Sequence, residues 1–350
     1  MNSVSKAVIP IIIPAYEPDA AFVSFCESLP REKKMPLVVV DDGSGKEYEE
    51  IFKALEGLPD CTVLRHGVNL GKGRALKDAF NYVLVNYPET AGVVTADSDG
   101  QHSFQDIRKC MSVLEENPHD LILGCRVFDG EDVPWKSRMG NKITRHVFSC
   151  LCGLKVSDTQ TGLRGIPVDF LRRILSTKGE RFEYETNMLL ECGQGTGIRE
   201  VAIETLYDSK EEHRTHFDPL RDSVRIYKII LAYSLPELFA VVTDFMVFAA
   251  AVSCWQNIWS ATAAARVCSV LVYFAGGRKT FKLKGNRAGG FVRHVVPVLV
   301  LAIVSAVLVS TVLKLFSFHV LMVKAAVEFC LIILLSVYRK CTNFPGSNGG

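Results

Sequence analysis

Gly92-Val-Val-Thr-Ala-Asp-Ser-Asp-Gly-Gln-His102 is a short apolar run that ends in two carboxylates one residue apart. An apolar run of this length, bounded by turn residues, reads as a strand buried on both faces. Similar runs precede it at residues 7–14, at 37–40 (ending in Asp41-Asp42-Gly43-Ser44) and at 62–64. Helical stretches fall between them, at 20–29, from about Glu47 and from near Gly73. Strands alternating with helices predict a doubly wound α/β sheet. Ligands bind such sheets at the carboxyl ends of the strands, where Asp41, Asp42, Asp97 and Asp99 all fall.

Asp97 and Asp99 straddle one residue, so both can face one divalent cation, and Gln101 adds a further oxygen donor. Mg²⁺ and Mn²⁺ prefer oxygen ligands and commonly bridge to a substrate's phosphates. Isolated Asp-x-Asp pairs are frequent in surface turns, but this one closes a buried strand. Asn69-Leu-Gly-Lys-Gly73 is glycine-rich and opens a helix. It lacks the P-loop spacing, and reads either as a turn or as an anion cradle with Lys72 on a pyrophosphate. Gly193-Gln-Gly-Thr-Gly197 precedes a strand at 199–206 instead of opening a helix, and reads as a loop.

The charge divides unevenly. Residues 237–350 hold 11 Lys and Arg against 3 Asp and Glu, leaving 29 against 35 for residues 1–236. An acidic first half argues against nucleic acid as a partner. The 11 cysteines are scattered, with no CxxC pair; this suits buried thiols in a reducing compartment better than a disulfide framework or a zinc site. Residues 1–6 carry no signal-peptide pattern, so a cytoplasmic first domain is expected.

Beyond Pro236, apolar stretches at 238–254, 258–276, 291–313 and 316–337 each approach the ~20 residues of a spanning helix. Basic residues gather between the second and third (Arg278, Lys279, Lys282, Lys284, Arg287, Arg293) and after the fourth (Arg339, Lys340). The positive-inside rule then places the first domain, this linker and the C-terminus together in the cytoplasm. Asp244, Arg266, Lys324 and Glu328 fall inside the apolar stretches; they either line a lipid or substrate route or pair to hold the helices together. Before the first stretch, 218–233 reads as an amphipathic helix that rests on the membrane surface or on the first domain. The expected organisation is a catalytic domain over 1–217, an interfacial helix over 218–236, a transmembrane domain over 237–340 and a tail over 341–350.

Pro14-Ala-Tyr-Glu17, Val40-Asp-Asp-Gly-Ser44, Asn69-Leu-Gly-Lys-Gly73, Asp97-Ser-Asp-Gly-Gln-His102, Gly124-Cys-Arg126 and Thr161-Gly-Leu-Arg164 follow one another along the chain. In that order they resemble family-2 glycosyltransferases, most of all the branch of dolichol-phosphate mannose synthases and bacterial polyprenyl-phosphate glucosyltransferases. The likeness spans about residues 7–232. The tail, with Arg278-Lys-Thr-Phe281, is similar more weakly to the four-helix GtrA-like membrane domain. The resemblance implies a GT-A α/β domain followed by an all-α four-helix transmembrane domain, and inversion at the anomeric carbon. It implies that Pro14, Tyr16, Glu17, Asp41 and Asp42 hold the nucleoside. Asp97, Asp99 and Gln101 would surround Mg²⁺ or Mn²⁺ and the diphosphate, with Asp99 also catalytic. Arg126 and Arg164 would meet the acceptor phosphate or the donor diphosphate, with Arg138 a further candidate.

A polyprenyl phosphate is already largely dianionic at neutral pH, since its second pKa is about 6. It needs alignment and leaving-group stabilisation more than a strong base. Arg guanidinium suits phosphate oxygens, and a divalent metal neutralises the departing diphosphate. Glu183 and Glu185 could orient a sugar hydroxyl, act as a base, or simply sit at an exposed helix start. A processive polysaccharide synthase would carry a QxxRW motif, which the chain lacks. A lipid-linked-sugar translocase with an inactive first domain would not need intact Asp97, Asp99 and Gln101. The donor expected is a UDP-sugar, by analogy with glucosylation systems, with a GDP-sugar the other choice. A homo-oligomer is compatible with the chain.

Overall fold

The computed structural model describes residues 8–30, 35–126, 156–192, 196–204, 221–280 and 287–342. They fall into two compact units divided near residue 228, and each is taken by itself. Arg138 and residues 193–195 lie outside the described residues.

The first unit is built on a seven-stranded sheet. Strands β1 (Ile11–Ala15), β2 (Leu37–Asp41), β3 (Cys61–Arg65) and β4 (Gly92–Thr95) are parallel, with β1 between β2 and β4 and β3 outside β2. Every residue of β1, β2 and β4 is buried, as continuous apolar runs covered on both faces should be. Ile11 and Ile13 point to one face, where they meet Phe22 of α1 (Ala21–Ser28), Phe52 of α2 (Glu49–Glu56) and Ile107 and Leu114 of α4 (Phe104–Glu116). Helix α3 (Lys72–Asn86) packs on β1 and β2. It carries α5 (Val168–Ile174) and α6 (Glu183–Cys192) beside it, with Phe80 against Tyr184 at 6.5 Å between ring centroids.

The sheet is mixed beyond its first four, parallel strands. β6 (Arg164–Pro167) inserts antiparallel between β4 and β5 (Asp120–Arg126), and β7 (Gly197–Ile203) runs parallel to β5 at the edge. The pairing Thr95↔Arg164 brings the start of β6 to the end of β4. The Thr161–Arg164 motif therefore lies next to the Asp97–His102 motif.

The second unit is helical: α7 (Arg221–Trp255), α8 (Ile258–Thr280), α9 (Arg287–Leu315) and α10 (Val320–Thr342). Residues expected to form an interfacial helix and a first span lie in one continuous helix, α7. Within it, Leu238–Trp255 has a mean hydropathy of 1.9 and, among the described residues, is the one stretch long and apolar enough to cross a membrane. Ile258–Tyr273 and Val300–Leu315 are shorter apolar stretches.

The polarity of this unit is inverted. Met246, Val267, Leu271, Ile303, Met322 and Phe329 are exposed, whereas Asp244, Ser305 and Lys324 are buried. Four charges from three helices close on one another. Arg266 bridges Asp244 at 3.3 Å and also pairs with Glu328. Lys324 reaches Asp244 at 3.3 Å and Glu328 at 2.6 Å. Ser305 of α9 donates to Glu328 at 2.6 Å, and the Lys324 ammonium lies 4.8 Å from the centre of the Phe248 ring. Of the two readings of these charges, mutual pairing is what the geometry displays.

Candidate active site

Glycine conformation decides how the site is assembled. Asp41 closes β2, and the chain turns back through Asp42 and Gly43. Asp41 accepts a hydrogen bond from the Ser44 amide at 2.9 Å, and the Ser44 hydroxyl accepts from the Glu17 amide at 2.9 Å. The loop after β1 is thereby tied to the loop after β2. Pro14 is buried in β1 opposite Val40, while Tyr16 and Glu17 follow at the strand end. The Tyr16 hydroxyl is raised above its ordinary value, first by its hydrogen bond with Glu17.

Asp42 is buried and fully engaged. Its carboxylate accepts from the Leu70 amide at 2.9 Å, from the Gly71 amide at 2.8 Å and meets His66 Nδ1 at 2.8 Å. The residue expected to hold a nucleoside therefore clamps the loop that opens α3. Gly71, at φ +103°, caps that helix, and a Cβ there would meet the Glu180 carbonyl oxygen at 2.5 Å.

This clamp sets the position of Lys72, the first residue of α3. Its ammonium bridges Asp97 Oδ1 at 2.7 Å and Glu185 Oε1 at 3.1 Å. Burial works against both charges. The neighbouring carboxylates nevertheless hold the lysine well above its usual range, and Lys72 with His102 holds Asp97 well below the carboxylate range. His102 is buried, with Nε2 3.5 Å from Asp97 Oδ2 and Nδ1 making no hydrogen bond. Asp99 goes the other way: burial, then the charge of Asp97, raises its carboxyl above the ordinary range. One Asp99 oxygen accepts from the Gln101 amide at 3.1 Å.

Glu185 is 7 % exposed, so the view of it as a surface helix-start carboxylate does not hold; Glu183, one turn edge away, bonds the Glu180 amide instead. Arg164 is 1 % exposed and serves as a frame. It donates to the Thr161 carbonyl and the Glu185 carbonyl, each at 2.9 Å, with its Nη2 making no hydrogen bond. Arg126, at the end of β5, forms a two-pronged pair with the wholly buried Asp158, at 2.6 and 3.1 Å. Neither arginine stands in isolation as a phosphate receptor. Asp158 and His66 lie outside the sequence motifs, and Gly162 and His102, each within one, carry no role that the sequence alone suggests.

The donor set suits a hard cation. Among the described residues no three carboxylate, imidazole or thiol groups converge as a metal cage. Two carboxylates, Asp97 and Asp99, with Gln101 following them in the same turn, match an ion that completes its shell on substrate phosphates. The raised Asp99 carboxyl fits the same picture, since the repulsion of the nearby Asp97 carboxylate is relieved by a cation.

The model for glycosyl transferase family 2 matches residues 11–206. An uncharacterized protein of Methanocaldococcus jannaschii is 30% identical over 212 residues, 59% of this chain and 85% of that protein. A UDP-N-acetylglucosamine–dolichyl-phosphate N-acetylglucosaminyltransferase of Methanococcus voltae is 26% identical over 216 residues, 56% of this chain and 85% of that one. Among solved structures, glucosyl-3-phosphoglycerate synthase of Mycobacterium tuberculosis, in complex with Mn²⁺, UDP and its product, aligns with a TM-score of 0.48. The alignment has 17% identity, over 65% of this chain and 78% of that one. With more than half of its length matched, the chain belongs to glycosyl transferase family 2.

Proposed function

We propose that the protein transfers a hexose from a nucleotide-sugar, a UDP-sugar in first place, to a polyprenyl phosphate, with inversion. The observation that carries the reading is the placing of Asp41 at the end of β2 and of Asp97 and Asp99 just after β4, the strands on either side of β1, with Lys72 set between Asp97 and Glu185. The acceptor class draws support from the Methanococcus voltae relative, whose name specifies dolichyl phosphate.

Asp97, Asp99 and Gln101 would hold Mg²⁺ or Mn²⁺, which supplies charge neutralisation at the departing diphosphate. The acceptor's phosphate oxygen attacks the anomeric carbon from the face opposite the leaving group. The bond from that carbon to the diphosphate oxygen breaks, and the nucleoside diphosphate leaves with the electron pair. The dianionic phosphate has no proton to lose, so the chain's task is alignment. Tyr16, Glu17 and Asp41 lie where a nucleoside would stack and hydrogen-bond. Lys72 offers a cation beside the diphosphate. Glu185, anchored by Lys72, is placed to accept a hydrogen bond from a sugar hydroxyl.

The helical unit supports a lipid-embedded location. Large apolar side chains outside and a self-neutralised set of charges inside is the arrangement that hydrocarbon favours. We read α7 to α10 as four spans, with the basic linker after α8 and the C-terminus on the same cytoplasmic side as the catalytic domain. The test is transfer of radiolabel from UDP-glucose, UDP-N-acetylglucosamine, UDP-galactose and GDP-mannose into organic-extractable lipid. The assay contains detergent-purified protein, undecaprenyl phosphate and Mn²⁺ or Mg²⁺. Cation-dependent labelling from one donor, lost in Asp99→Ala, supports the reading. Absence of labelling from every donor, with folded protein, overturns it.

A further inference from the structure

His66 lies outside every motif, directly after β3, yet its ring is held at both ends by carboxylates. Its side chain is 8 % exposed; Nδ1 lies 2.8 Å from Asp42 Oδ1 and Nε2 lies 3.1 Å from Asp78 Oδ2. A carboxylate accepts and does not donate, so each ring nitrogen that carries a proton gives its donor to one of the two acids. The other charge facing this pair is Arg74 of α3, whose guanidinium stands 3.8 Å from the second oxygen of Asp78. The His66 amide also donates to the Asp41 carbonyl at 2.9 Å, which fixes the residue against the end of β2.

The position of this ring matters because of what Asp42 does. The same Asp42 oxygen that meets His66 accepts the Leu70 amide, and the other accepts the Gly71 amide. Lys72 follows immediately, with its ammonium on Asp97 and Glu185. A buried carboxylate is costly unless its oxygens are fully hydrogen-bonded. The His66 ring completes the set on Asp42 and at the same time staples the end of β2 to α3 through Asp78.

We infer that His66, bridging Asp42 and Asp78, is a positioning residue for donor binding: it locks the 69–71 loop and thereby sets Lys72 against the donor diphosphate. This deepens the glycosyl-transfer reading and rests on it for the turnover arm alone.

The test uses the full chain in detergent, with His66→Gln (neutral), His66→Arg (a permanent cation that can extend toward the exposed Asp78) and Asp78→Asn. Hydrogen exchange at the Leu70 and Gly71 amides needs no substrate. It should quicken about tenfold in H66Q, the loss expected for one charge-assisted hydrogen bond, and return close to wild type in H66R. Asp78→Asn removes only the solvent-side partner and keeps the idea testable if H66Q does not fold; about threefold faster exchange is expected there. In turnover, H66Q should raise the KM for the donor about tenfold and leave that for the lipid acceptor unchanged, with H66R restoring it. Unchanged exchange in H66Q and D78N, or equal impairment of H66Q and H66R, overturns the inference. If wild type transfers no sugar, the functional reading fails while the exchange arm still decides the role of His66.

Discussion

Gly162 and Asp97 are in contact: a Cβ built on the glycine would lie 2.1 and 2.3 Å from the two carboxylate oxygens of the aspartate. The glycine is held there by its own carbonyl, which accepts from the Thr95 hydroxyl at 2.7 Å. The segment before β6 thus forms one wall of the carboxylate site, and only a residue without a side chain leaves room for Asp97.

Gly162→Ala should therefore displace the Asp97 carboxylate while leaving the sheet intact. The cost to folding is expected at about 1–3 kcal/mol, typical of overpacking. Turnover should fall by about two orders of magnitude, because an ångström of misplacement at reacting groups costs that much. Mn²⁺ affinity followed by electron paramagnetic resonance, beside the radiolabel assay, checks the point. Unaltered Mn²⁺ binding would show that Asp97 does not need that space.

Lys72→Gln removes the cation shared by Asp97 and Glu185. The pair is half-buried, and loss of one such charge-assisted hydrogen bond costs about 1.5–3 kcal/mol. The pH dependence has a definite sign. The folded Asp97 carboxyl lies below its unfolded value, so its contribution to stability is present above about pH 4, the unfolded value, and is lost as pH falls toward the folded one. The melting difference between wild type and K72Q should be full at neutral pH and shrink progressively under acid. A difference that stayed constant down to pH 2 would rule out Asp97 as the titrating partner.

Burial pushes the thiols of Cys110 and Cys192 up to about 12. At pH 8 roughly one in 10⁴ of each is then ionised, and neither is open to solvent. Iodoacetamide followed by peptide mass mapping should spare Cys110 and Cys192 until the domain unfolds. Labelling of Cys110 in the folded protein would contradict the packing of α4 on the sheet.

The parts of the fold that were legible are those whose signal is local. β1, β2 and β4 are unbroken apolar runs, and their terminal carboxylates advertise the ligand end of the sheet. β6 is different. Arg164-Gly-Ile-Pro167 has no apolar run and no alternation, and it becomes a strand only because β4 and β5 offer edges on either side. The site divides in the same way. The Asp97–Asp99 spacing is visible in a few letters, but the approach of Glu185 to Lys72 depends on α6 folding beside α3 across more than a hundred residues. The bracing role of Asp42 was equally hidden, because an aspartate at a strand end reads the same whether it faces a ligand or its own loop. In the helical unit, the charges themselves were visible, but which acid met which base was not.

Lys324→Met should destabilise the helical unit by about 3 kcal/mol, since Asp244 and Glu328 would then share Arg266 alone. The double variant Asp244→Asn with Lys324→Met leaves one acid and one base and should recover part of that loss. Thermal melts in detergent, arranged as a double-mutant cycle, measure the coupling. A double variant no more stable than K324M would mean that charge balance does not hold the bundle.

The pairing scheme also bears on how such a chain reaches its final place. Asp244 and Arg266 lie on consecutive helices joined by a turn of two residues, and Lys324 and Glu328 lie one turn apart on a single helix. In the lipid-embedded reading, the first hairpin and the last helix are each electrically neutral before they meet. Neither has to carry a bare charge into hydrocarbon during insertion. The cross-pairs of Lys324 with Asp244 and of Arg266 with Glu328 form only afterwards, as the two neutral pieces come together. Biogenesis can then proceed in two steps, with the exchange of partners marking completion of the bundle.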